Sequence, residues 1–120
     1  MNRKLVYNSI VTAIGAYDSS IYCSQTLELV PPSIPAAFIQ QISKVRVERY
    51  ASFCNTDEQS YDTYEVQVFA KTLNDAYDIM DVVESKFKEL SFFEIMCRPT
   101  ENIDKDIKRI VARFSAQQGA

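Results

Sequence analysis

The sequence predicts an α+β fold: a mainly antiparallel sheet of about four to five strands, with two helices packed on one face. Two observations favour this class. Several runs alternate apolar and polar residues, as half-exposed strands do, and polar turns join them, which favours antiparallel neighbours. Two longer segments carry apolar residues at helical spacing along one side, so each needs a sheet or another helix to cover that side.

The chain has the size and composition of one globular domain, which we assign to residues 1–120. Of its 120 residues, 47% are hydrophobic and 24% are charged, which is enough for one core without disulfides or metals. The net charge of −3 comes without a basic block, which argues against tight DNA binding. Polar residues interrupt the N-terminal apolar run, so we expect neither a signal peptide nor a membrane span.

The first helix is predicted for residues 2–16, where Gly15 suits the C-terminal end. Its apolar stripe consists of Leu5, Val6, Ile10, Ala13 and Ile14. Residues 17–35 are less regular, with two short extended pieces at 21–23 and 26–30. The prolines at positions 31, 32 and 35 exclude a helix or a central strand there, so we expect an ordered surface loop.

Three strands are predicted in the middle of the chain. Residues 37–42 form a short first strand, and residues 45–53 alternate as a half-exposed second strand. The third strand, residues 63–70, places Tyr64 and three small apolar residues on one face, with Glu65, Gln67 and Phe69 on the other. The polar residues 55–62 are too many for a two-residue turn, so we expect them to form a projecting arm.

The second helix is predicted for residues 73–90. Thr72 and Asp75 resemble a capping box at its start, and acidic residues early with lysines late agree with the helix dipole. A closing hairpin follows, with strands at 92–98 and 107–114 and Pro99 as a breaker between them.

The composition argues against catalysis, and we predict no enzyme activity, no cofactor and no metal. Histidine is absent, which removes the commonest general base and transition-metal ligand. Two glycines are too few for a phosphate-binding loop. Asp75, Asp78 and Asp81 lie three residues apart, which fits either a divalent-cation site or, as we expect, a solvated helix face.

The three cysteines, Cys23, Cys54 and Cys97, are far apart in the sequence. Without histidine or a Cys-x-x-Cys pair, a zinc site would need all three cysteines together with a carboxylate or water. A catalytic cysteine would need a base to activate it. We therefore expect buried or incidental thiols.

Two kinds of side chain are candidates for contacts with a partner. Arg109 and Arg113 lie on the last predicted strand, where they either pair with acids of neighbouring strands, such as Glu65 or Glu48, or form salt bridges between subunits. Seven tyrosines and seven phenylalanines are more than one sheet hides, and an uncovered aromatic patch suggests a partner surface. The aromatic residues that the pattern leaves uncovered are Tyr50, Tyr61, Phe69 and Phe93.

The order and spacing of these features resemble the tail terminator, or tail completion, proteins of long-tailed phages. The resemblance covers residues 34–116, roughly two thirds of the chain. It rests on Pro35 before the first strand, the tyrosine-led strand 64–69, the helix 73–90, and the segments 97–102 and 108–114. The chain departs from the family at Ser91, where members commonly have glycine, and at Phe114, where they often have tyrosine.

The resemblance implies a homohexameric ring on the head-proximal end of the tail tube. The ring would stop tube polymerisation and present a surface to head completion or neck proteins. It implies assembly in the host cytoplasm, a final place in the virion tail, and DNA that passes through the lumen without specific binding, which an acidic protein favours. The implied subunit contacts are Arg109, Arg113, Phe69 and Tyr50, and the implied tube or neck contacts are Asp57, Glu58, Tyr61, Pro31 and Pro32.

Two alternative functions remain open at this point. Other head–tail connectors and minor capsid proteins share small α+β folds with the terminators. A small-molecule-sensing module of the ferredoxin-like type is also of this fold class, although such a module is expected to carry a Gly-rich or charged ligand loop. The sequence has no such loop.

Overall fold

The computed structural model describes residues 3–27, 31, 33–46, 60–100 and 106–118. Along this part of the chain the elements follow in the order helix, three strands, helix and two strands. They are α1 (Arg3–Tyr17), β1 (Tyr22–Ser24), β2 (Ala36–Arg46), β3 (Ser60–Ala70), α2 (Leu73–Glu89), β4 (Phe93–Thr100) and β5 (Lys108–Gln118).

The five strands form one sheet in the order β1-β2-β3-β5-β4. The short β1 is parallel to β2, and the other neighbours are antiparallel. The pairing of β2 with β3 runs from Ala36 opposite Phe69 to Arg46 opposite Ser60, so these strands pair along nearly their whole length. The predicted α+β class, with a mainly antiparallel sheet and two helices, is confirmed.

Both helices cover the same face of the sheet, and the main core lies between them and the sheet. An aromatic group fills its centre, in which Phe87 of α2 stacks on Phe114 of β5 with ring centroids 4.3 Å apart. Tyr64 of β3 and Phe92 pack around this pair. Helix α1 contributes Val6, Ile10 and Ile14, which are spaced four residues apart and buried. The stripe is narrower than predicted, because Leu5 is 55% exposed.

Helix α2 has defined caps at both ends. The Thr72 hydroxyl accepts a hydrogen bond from the Asp75 backbone N–H at 3.1 Å, as the capping pattern predicts. At the C-terminus the Ser91 N–H bonds to the Lys88 carbonyl and the Phe92 N–H to the Phe87 carbonyl, which is a Schellman motif. Ser91 occupies its left-handed position with φ of 68°.

Two strand predictions are wrong in their boundaries. Residues 37–42 and 45–46 belong to one strand, β2, because a bulge between Gln41 and Ser43 absorbs the break in alternation without ending the pairing. Pro99 does not break the chain but lies within β4, opposite Ile110. An edge strand tolerates proline because one side of the strand has no neighbouring strand, so a backbone N–H on that side is not needed for pairing. The rest of the predicted second strand, 47–53, lies outside the described residues.

Candidate assembly surface

The strand β4 forms one edge of the sheet and carries exposed apolar side chains. Phe93 is 58% exposed and Ile95 is 54% exposed. A register shift between Glu94 and Met96 leaves Ile95 outside the regular ladder with β5. Edge strands are usually protected by charges, bulges or proline because their free backbone groups can pair with another chain. Here Pro99 blunts one end of β4, while Phe93 and Ile95 leave the other end apolar.

The opposite edge of the sheet is also partly free. The strand β1 pairs with β2 only at residues 36–38, so in the described part of the chain the outer side of residues 39–46 has no partner strand. Ile42 is exposed on this stretch. Because β3 is antiparallel to β2 and β5, and β5 is antiparallel to β4, the two edge strands run in opposite directions.

A chain of polar contacts crosses the sheet face that points away from the helices. The Arg113 Nε donates to Glu65 Oε2 at 3.1 Å, and Glu65 Oε1 accepts from the Gln67 amide at 2.7 Å. Gln67 Oε1 in turn accepts from an Arg109 guanidinium nitrogen at 3.4 Å. The predicted pairing of a strand arginine with Glu65 therefore occurs within one subunit. Arg113 is half exposed, so it remains accessible from outside.

The prediction that Phe69 is uncovered is wrong. Its ring is fully buried, although it lies on the face away from the helices. Phe38 packs edge-on against it with centroids 5.5 Å apart, and the Arg109 guanidinium lies 5.9 Å over the ring. Phe69, Phe38 and Ala36 form a second, smaller core, which Leu27 and Ile107 flank. A contact with another subunit through the Phe69 ring has no structural support.

The other predicted contact residues have mixed outcomes. Arg109 and Arg113 lie on β5, and Phe93 is exposed as predicted. Pro31 is buried within its own chain, which removes the basis for a direct contact through its ring. The backbone of Tyr61 lies in β3 opposite Val45, so residues 60–62 belong to a strand and not to the predicted arm. The residues outside the described part of the chain are Tyr50, Asp57, Glu58 and Pro32.

An acidic cluster lies where α2 meets β4. It consists of Glu84 from α2 with Glu94 and Cys97 from β4, whose carboxylate oxygens and sulfur lie within 4.8 Å of one another. Burial, the Glu94 carboxyl and the Asp81 charge raise the pKa of Glu84 to about 7, against a smaller lowering by the Cys97 thiol. Burial and the same acids raise the pKa of Cys97 to about 12.

The acids Asp75, Asp78 and Asp81 are exposed, as predicted for a solvated helix face. Cys23 and Cys97 are free and half-buried thiols, whereas Cys54 lies outside the described residues.

Ile95 and the acidic cluster were not predicted from the sequence. Ile95 follows the strand period, but only the bulge beside it decides that it is exposed. Glu84, Glu94 and Cys97 come from two elements, and their approach depends on how α2 packs on the sheet, for which spacing along the chain carries no signal.

Comparison with known proteins assigns no family to the chain. No protein-family model matches it, and no curated protein matches it significantly. Within the described residues, no helix has the length and apolar character that crossing a membrane requires.

Proposed function

We propose that this protein is a structural component of a phage or prophage tail, a terminator that forms a ring on the head-proximal end of the tail tube. The observation that carries the proposal is the pair of unlike free edges of the sheet, one of which exposes Phe93 and Ile95. The apolar edge lies in the closing hairpin, whose segments 97–102 and 108–114 carry the strongest part of the sequence resemblance.

Unlike edges favour a ring over a two-fold dimer. In a head-to-tail contact each subunit uses β4 on one side and β2 on the other, and such contacts close into a ring when the rotation allows. Because β2 and β4 run in opposite directions, β4 of one subunit can pair in the antiparallel sense with β2 of the next. Burying the exposed parts of Phe93 and Ile95 contributes on the order of 2 kcal/mol per contact.

The other properties of a terminator follow from the ring. A ring whose subunits satisfy each other's edges offers the tube no further template, so the tube stops growing. Six copies at −3 each carry a charge of −18. An acidic lumen offers DNA phosphates no counter-charge, so DNA passes without being held. The partners are other copies of this chain, the tube protein and a head completion or neck protein.

The first test is the solution mass by light scattering over a concentration series. The monomer has a mass of 13.7 kDa, so a hexamer has about 82 kDa. A species of that mass supports the ring, whereas a stable dimer contradicts it. If the protein is monomeric at all concentrations, the ring has to be templated by the tube.

A ring that forms only on the tube is tested in the phage or prophage that encodes the protein. A nonsense mutation should give free heads and separate tails of abnormal length in electron micrographs. Normal joined virions from the mutant would overturn the proposal. Separate tails of normal length, with this protein co-purifying with the portal, would identify another head–tail connector.

One observation favours a second candidate, a small-molecule-binding module. A cleft of about 360 Å³ lies between the end of α1 and the start of α2. Tyr17, Asp18 and Ile34 line one side, and Lys71 and Asp75 line the other. A thermal-shift screen with metabolites tests it: a ligand that raises Tm, and loses this effect when Lys71 is replaced by alanine, would support the sensing module over the terminator.

A further inference from the structure

The acidic cluster joins an edge strand to a helix. In register, Glu94 lies opposite Phe114 and Cys97 opposite Ala112, so both side chains belong to the face of β4 that the helices cover. Glu84 approaches them from α2. Within the described residues β4 has one neighbouring strand, β5. Besides its pairing with β5, β4 therefore also approaches α2 at Glu84.

Both elements that meet at this contact, α2 and β4, provide acidic groups. Helix α2 provides Glu84 and Asp81, and β4 provides Glu94; these acids raise the pKa values in the cluster, whereas the Cys97 thiol lowers that of Glu84. Strand β5 provides only Phe114 and Ala112 opposite them, which carry no charge.

Among the described residues, cations lie close to the cluster in sequence on both β4 and α2. Arg98 lies opposite Val111 and thus on the other face of the sheet, and Lys88, one turn further along α2, is exposed. Glu84 is partly buried and Glu94 is exposed, and two fully charged carboxylates this close to each other repel.

We propose that Glu84 and Glu94 form a carboxylic acid–carboxylate pair that shares one proton and holds the edge strand β4 against α2 only while that proton is bound. Burial and the neighbouring acids raise the pKa of the Cys97 thiol, so it stays protonated throughout. Loss of the shared proton leaves two carboxylates side by side and loosens β4. We call this pair the latch. It is a property of the single subunit, whereas its effect on ring formation through β4 rests on the proposed function.

The direction of the pH effect follows from the raised pKa of Glu84. Its ordinary pKa is 4.5 and its pKa in the folded protein is about 7, so between these values the folded state binds more protons than the unfolded state. Stability from this pair is therefore present at low pH and is lost as pH rises through about 7. Salt-bridged carboxylates behave in the opposite way, which makes the sign diagnostic.

The test is thermal unfolding of the full chain from pH 5 to pH 9, with EDTA present so that metals do not contribute. Glu84→Gln keeps the size and a donor but cannot ionise. Asp78→Asn is the matched control, since Asp78 is an exposed acid of α2 outside the cluster. Between pH 5.5 and pH 8 we expect Tm of wild type and Asp78→Asn to fall by at least about 3 °C more than that of Glu84→Gln. Parallel curves for all three proteins would overturn the proposal.

Two direct measurements keep the proposal testable if Glu84→Gln does not fold. Carboxyl ¹³C NMR should show one glutamate with a titration midpoint near 7, and this midpoint should move to lower pH in Glu94→Gln, where burial still raises the pKa but Glu94 no longer does. Hydrogen exchange of the β4 amides, corrected for intrinsic rates, should increase from pH 6 to pH 8 in wild type but not in Glu94→Gln. Titration of all glutamates below about pH 5 would contradict the latch whether or not the protein forms rings.

Discussion

At the scale of single residues, two phenylalanines on the same face of the sheet differ in burial. Phe69 and Phe93 both lie on the face away from the helices, as their registers opposite Ala36 and Ser115 show. Yet Phe69 is fully buried by Phe38 and Arg109, and Phe93 is exposed. The same residue type in similar strand positions thus has a structural role in one case and is free to contact a partner in the other.

Alanine substitutions should separate these roles. Phe69→Ala removes a fully buried ring and should lower the free energy of unfolding by about 3–5 kcal/mol in chemical denaturation. Phe93→Ala should change it by less than about 1 kcal/mol, because more than half of this side chain is already in water. Equal losses for the two variants would mean that Phe93 is covered within the monomer.

Cys97 should be an unreactive thiol despite its partial exposure. With its pKa raised to about 12, almost none of it is thiolate at pH 8. Iodoacetamide should therefore label it more slowly in the folded protein than in urea, by roughly tenfold or more. Peptide mapping by mass spectrometry separates Cys97 from the other two cysteines. Glu84→Gln removes one of the acids that raise its pKa and should speed labelling; unchanged labelling would exclude the influence of Glu84.

At the scale of elements, the end of α2 accommodates a serine at a position of the helix cap where glycine is the usual residue. Glycine is common where this chain has Ser91, and Ser91 adopts the left-handed φ of 68° that a Schellman motif requires. The hydrogen bonds of Ser91 and Phe92, and the packing of Phe92 on Phe87, hold the motif together without glycine. The cost is backbone strain at one residue.

Replacing this serine should relieve that strain. We expect Ser91→Gly to raise the free energy of unfolding by about 0.5–1 kcal/mol, measured from urea denaturation midpoints. Ser85→Gly is the matched control, because Ser85 is exposed inside α2 and glycine there should lower stability by roughly 0.5 kcal/mol. A loss of stability in both variants would show that the left-handed position is not strained.

At the scale of the whole molecule, the sheet has two unlike edges that a neighbouring subunit can cover. Ile95→Lys places a charge on the apolar edge of β4 and should abolish ring formation in light scattering while the monomer stays folded. Leu5→Lys is the control, since Leu5 has nearly the same exposure as Ile95 but lies on α1. Equal loss of assembly in both variants would contradict a ring built through β4. If wild type is monomeric, tail capping replaces mass as the readout.

The sequence alone determined the fold class and the type of most elements. Periodicity located both helices, the alternation of 64–70 and the closing hairpin, because each is a local pattern that burial of one face imposes. The predictions from these patterns were wrong about the bulge in β2 and the place of Pro99. Both depend on which strand is the neighbour of β2 or of β4 in the sheet. The alternation of residues 63–70 put Phe69 on the correct face but could not show that a second small core lies there.

Only the tertiary structure decided which side chains the sheet edge exposes and which acidic residues come together. The sheet order β1-β2-β3-β5-β4 makes β4 an edge and so exposes Phe93 and Ile95. The packing of α2 on that sheet brings Glu84 to Glu94 and Cys97, residues that are up to 13 positions apart in the sequence. Local propensity acts between residues a few positions apart, whereas edges and charge clusters depend on contacts between elements, which form only when the chain is folded.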